Sequence, residues 1–111
     1  MTTIKINVRD GQVTCGSNGG HVRVRHGSVV TWKSTGKDKK FELEFFQLGV
    51  EAGSAAAELD HWPFKEKRPA APTNTFVGTL KKLAPNEAAP VYKYYVKVGK
   101  LVLDPIVIVD R

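Results

Sequence analysis

The sequence predicts an all-β domain, an antiparallel β-sandwich of seven to eight strands, on three observations. Apolar residues recur with a period of two in one segment after another. Turn signals such as Asp10-Gly11, His26-Gly27 and Gly99-Lys100 separate those segments at short intervals. No stretch carries the 3.6-residue periodicity of a long helix. The 111 residues suffice for one core and not for two, so residues 1–111 read as a single domain. Each sheet alone would leave an apolar face in water; stacking two removes both, at roughly 25 cal/mol per Å² of apolar area.

The elements follow in order. Ile4, Ile6 and Val8 alternate with Thr3, Lys5 and Asn7, a strand with one buried face. Gln12 to Cys15 returns after the Asp10-Gly11 turn, and Gly16-Ser-Asn-Gly-Gly20 then breaks the chain. Val22 and Val24 alternate with Arg23 and Arg25. The β-branched run from Ser28 to Lys33, with Trp32 near its end, reads as a core strand. Phe41, Leu43 and Phe45 share one face opposite Glu42 and Glu44. From about residue 47 to 73 the alternation lapses into one long irregular connection; residues 55–59 allow a turn or two of helix, and Pro69 and Pro72 keep the chain extended. Phe76 to Leu80 restores a strand. Val91 to Val98 places Tyr92, Tyr94, Val96 and Val98 on one face, and Leu101 to Val109 closes the domain with Pro105 interrupting the ladder, as at an edge or bulge.

Composition narrows the function classes. Hydrophobic residues at 41% and charged residues at 25% are globular values, and no apolar run approaches a membrane span. The first nine residues have charges inside every apolar run, unlike a signal peptide, so the expected location is cytoplasmic, or exported with a signal already removed. Cys15 is the single cysteine, which excludes an internal disulfide and a multi-cysteine metal site. Seventeen Lys and Arg against eleven Asp and Glu give +6, which permits an acidic partner without naming one.

Two segments resemble the cupredoxin-like domains. Val22-Arg-Val-Arg-His-Gly-Ser-Val-Val-Thr-Trp32 is similar to their strand, turn and Trp-ended strand, and Val91 to Val109, with Leu103-Asp104-Pro105 before Ile106 and Ile108, is similar to their terminal hairpin. The resemblance, with the first strand, covers about two-thirds of the chain. It implies Greek-key topology, and it raises the question of copper, which that family holds with a thiolate, two imidazoles and usually a thioether. Several of those ligands sit on the loop joining the last two strands. Here that loop is Val98-Gly99-Lys100-Leu101, no Cys follows Cys15 and no Met follows Met1, so a copper-free member is expected, with no cofactor.

Each remaining candidate site also has a plain structural reading. Cys15 with His21, His26 and His61 is the alternative metal set, against turn histidines and a small core thiol. No nucleophile elbow, metalloprotease helix or phosphate loop is present, so no enzyme is expected. Nucleic acid or another polyanion is the second alternative, through Lys33, Lys37, Lys39 and Lys40, through Lys65, Lys67 and Arg68, or through Lys93, Lys97 and Lys100. The main expectation is a binding or structural module that recognises another protein through Trp62, Phe64, Lys65, Lys67 and Arg68, an aromatic pair and three cations on a Pro-braced loop. The competing reading has Trp62 and Phe64 fold back to plug the open end of the sandwich.

Overall fold

The computed structural model describes residues 2–16, 19–36, 39–47, 62–86 and 89–110. Among these residues the chain is all-β and without a helix, in nine strands: β1 (Thr2–Arg9), β2 (Gln12–Cys15), β3 (Val22–Arg25), β4 (Val29–Ser34), β5 (Glu42–Gln47), β6 (Thr75–Thr79), β7 (Val91–Val98), β8 (Leu101–Leu103) and β9 (Ile106–Asp110). They form a four-stranded sheet in the order β2-β1-β4-β6 and a five-stranded sheet in the order β3-β9-β7-β5, with β8 also beside β7. The helical turn expected at residues 55–59, and His61, lie outside the described residues. Among the described residues no helix is long and apolar enough to cross a membrane.

Both sheets are mixed, which corrects the purely antiparallel expectation. β1 runs parallel to β4, with Thr3 beside Thr31 and Lys5 beside Lys33, and β3 runs parallel to β9. The cause lies in the connections. After β2 the chain passes left-handed glycines Gly19 (φ 64°) and Gly20 (φ 85°) and enters the other sheet as β3. It reverses at a turn closed by Ser28 N–H donating to the Arg25 carbonyl, then returns to the first sheet as β4, in the direction of β1. Gly20 is required there: a Cβ would stand 2.9 Å from the Cys15 Cβ and 3.0 Å from Pro105 Cγ.

The ninth strand comes from Pro105. Lacking an N–H, it stops the ladder between β8 and β9, yet the stagger against β7 is unchanged: Val96 faces Leu103 before the break and Lys93 faces Ile106 after it. The Pro105 carbonyl still accepts the Tyr94 N–H at 2.9 Å. Pro105 is fully buried, and the unchanged stagger shows that it is not an inserted residue.

The sheets face each other across one core, a sandwich-like arrangement. Ile4, Ile6, Val30 and Trp32 of the four-stranded sheet meet Leu43, Phe45, Tyr94, Val96 and Val107 of the other. Trp32 stands edge-on to Phe45 (5.9 Å), Phe64 (5.6 Å) and Tyr94 (5.5 Å). Its indole N–H donates to the Tyr94 hydroxyl at 3.3 Å, and that hydroxyl donates to the Gly20 carbonyl. This chain satisfies the only polar atoms of the two largest core rings. It also ties the sheet-crossing Gly20 to both layers.

Candidate functional site

The segment that follows residue 61 is pinned to the side of β6. Phe64 pairs with Leu80 in an isolated bridge, Lys65 N–H donates to the Thr79 carbonyl at 2.9 Å, and Lys81 N–H donates to the Pro63 carbonyl at 3.1 Å. Glu66 acts as a buckle, accepting the Thr79 N–H at 2.6 Å and the Thr79 hydroxyl at 2.8 Å. Those hydrogen bonds, the backbone one foremost, hold the Glu66 carboxyl below its ordinary range.

Phe64 is 2% exposed and lies 5.2 Å from Phe45 and 5.4 Å from Phe76, so it is a core plug and offers no ring to a partner. Trp62 is half-buried over it at 5.2 Å, against Phe45 and Phe76, with its indole N–H donating to the Glu66 carbonyl at 2.6 Å. Lys65, Lys67 and Arg68 are exposed, and the Arg68 guanidinium sits 5.0 Å above the Trp62 ring. The five residues singled out in the sequence therefore divide: the aromatic pair anchors the segment and the cations decorate it. The structure brings Trp62 and Arg68 together and sends Phe64 inward.

The Glu66 buckle has a second effect. In β6 the backbone groups of Thr75, Val77 and Thr79 point away from β4, because Thr79 directs both its N–H and its carbonyl to the 65–66 backbone and side chain. Thr73 Oγ1 donates to the Thr75 carbonyl at 3.0 Å and accepts its N–H at 3.3 Å. Both ends of this sheet edge are thus capped, with Val77 between them. Sequence inspection missed Glu66 and Thr73, since nothing local marks which residues will reach a strand edge.

The remaining candidates separate by charge and burial. Lys97 Nζ lies 2.9 Å from Glu44 Oε1, and Lys93 Nζ lies 3.1 Å from Asp104, a hydrogen bond that holds the Lys93 ammonium above its ordinary range. This lysine row is therefore not an open cationic stripe. Lys93 also stands 5.6 Å over Tyr95, whose ring meets Phe46 at 5.4 Å. That aromatic pair went unread although Tyr95 shares the parity of Lys93 and Lys97. Lys33, Lys39, Lys40 and Lys100 are exposed; Lys37 lies outside the described residues.

Cys15 is fully buried, and burial pushes its thiol up to about 11, leaving it protonated at neutral pH. His21 Nδ1 accepts the Ile106 N–H at 3.0 Å and His26 Nδ1 accepts the Leu83 N–H at 2.8 Å. Each ring so placed locks a backbone segment across the fold. Among the described residues no three His, Cys, Asp or Glu side chains converge. The sequence matches no protein-family model and no curated protein.

Proposed function

We propose that the chain is a copper-free, cupredoxin-like Greek-key module that recognises another protein through the exposed cations of residues 65–68. The connectivity supports the Greek-key reading: every step from β2 to β7, that is β2 to β3, β3 to β4, β4 to β5, β5 to β6 and β6 to β7, changes sheet. The observation that carries the binding reading is the immobilisation of this segment. Phe64 in the core, the Trp62–Arg68 stack and the Glu66 buckle hold Lys65, Lys67 and Arg68 on a fixed backbone. A preorganised cationic strip loses little entropy on docking, and it suits an acidic protein surface. Glu66, kept ionised by its hydrogen bonds from Thr79, offsets one of the three positive charges, so the strip keeps a net two.

The test is affinity capture with the intact domain, a Trp62→Ala variant and a Lys65→Glu/Lys67→Glu variant, with folding checked by circular dichroism. A partner retained by the parent and lost by the charge-reversed variant is the expected result. Equal capture by all three proteins overturns the reading.

A further inference from the structure

The two outer faces of the molecule differ in charge. On the five-stranded sheet, Glu44 pairs with Lys97, Asp104 with Lys93, and Asp110 with Arg23 at 3.5 Å. The four strands of the other sheet, β1, β2, β4 and β6, contain no Asp or Glu. Their outward positions include Thr3, Lys5, Asn7 and Arg9 on β1, Gln12 and Thr14 on β2, Thr31 and Lys33 on β4, and Thr75, Val77 and Thr79 on β6, the last with its hydroxyl on the Glu66 carboxylate. The parallel register sets Lys5 directly beside Lys33, about 4.8 Å apart across the strands. Neither ammonium has an ion pair among the described residues. Like charges in cross-strand register are destabilising, and the four strands of this sheet supply no acidic residue to offset the pair. Arg9 lies four residues further along β1, about 13 Å away at 3.3 Å per residue. Asp10 lies in the turn beyond Arg9, Glu66 is bound to Thr79 at the β6 end of this face, and Asp38, five residues after Lys33, lies outside the described residues.

We propose that this face binds an acidic polysaccharide. Lys5, Lys33 and Arg9 supply the counter-charges, and the flanking Thr3, Thr31, Thr14 and Thr75 hydroxyls supply donors and acceptors for sugar hydroxyls. The face carries no aromatic side chain, so it lacks the stacking platform that single-stranded nucleic acid requires. Three cations are also too few to hold a membrane surface firmly, at about 1 kcal/mol each. The proposal stands apart from the protein-recognition reading, since it uses different residues on a different surface.

The experiment is a titration of isotope-labelled protein with a sulfated uronic-acid hexasaccharide, followed by amide shifts at about 50 mM salt, with an oligothymidylate of equal charge as the second probe. Expected are shifts centred on Thr3, Lys5, Thr31 and Lys33, affinity falling steeply with salt, and a loss of about tenfold or more in a Lys5→Gln/Lys33→Gln variant. A Lys65→Gln/Lys67→Gln variant keeps saccharide binding. The proposal is overturned if the saccharide does not bind, if the oligothymidylate binds as tightly, or if the Lys5→Gln/Lys33→Gln variant binds like the parent.

Discussion

Gly78 sits in the middle of β6, where an alanine would ordinarily be the better residue. Glycine inside a strand costs roughly 0.5–1 kcal/mol relative to alanine through backbone entropy, so Gly78→Ala would stabilise the domain if the space were open. It is not open. A Cβ at this position falls 2.5 Å from Phe64 Cδ1 and 2.7 Å from both Phe64 Cγ and Phe76 Cε2. Those rings are 2% and 7% exposed and pack against Trp32, so neither swings aside without disturbing the core. Overpacking of this kind costs roughly 1–3 kcal/mol, which outweighs the entropic gain. The expected net loss is about 1–2 kcal/mol. At about 2.1 cal/mol/K per residue of unfolding entropy, that lowers the Tm of this 111-residue chain by about 4–8 °C. Urea unfolding of the parent, Gly78→Ala, Phe64→Ala and the double variant measures the coupling. Phe64→Ala alone should cost about 3–5 kcal/mol. In that background the Phe76 ring has room to move, and Gly78→Ala should be neutral or stabilising, an interaction energy of about 1 kcal/mol or more. A Gly78→Ala protein at least as stable as the parent, or strictly additive effects, refutes the placement of Phe64 against β6.

Three further outcomes follow from the same geometry. Tyr94→Phe removes the oxygen that links the Trp32 indole to the Gly20 carbonyl and should cost about 1–3 kcal/mol in denaturant unfolding, for two buried groups left unpaired; a change within error would contradict the buried network. The Glu66 carboxyl is held below its ordinary value in the fold, so its contribution is present above the usual carboxylate range and is lost as pH falls through the depressed value. Protection of the Thr79 amide from exchange should therefore drop on acidification, and Glu66→Ala should lack that pH dependence and self-associate more with rising concentration, read by light scattering. Cys15, buried and with its thiol raised to about 11, should resist alkylation at neutral pH until denaturant is added, and rapid labelling of the native protein would show that the site is open.

Strand positions and buried faces were legible from the chain because side-chain alternation is local: Ile4 and Ile6, Phe45, Tyr94 and Val96 all lie inside, as their parity requires. Strand direction was not legible. Alternation reads the same in a parallel and an antiparallel ladder, and β4 runs with β1 because the chain leaves the sheet at Gly20 and comes back. The charge balance and its cations are properties of composition, whereas the pairing of Lys93 with Asp104 and Lys97 with Glu44, and the placement of Lys5 beside Lys33, depend on register between strands distant in sequence. Trp62 and Phe64 were recognisable as an aromatic anchor. Which way they turn was settled by the space beside Gly78 and Trp32, a volume that exists only once two layers have closed on each other.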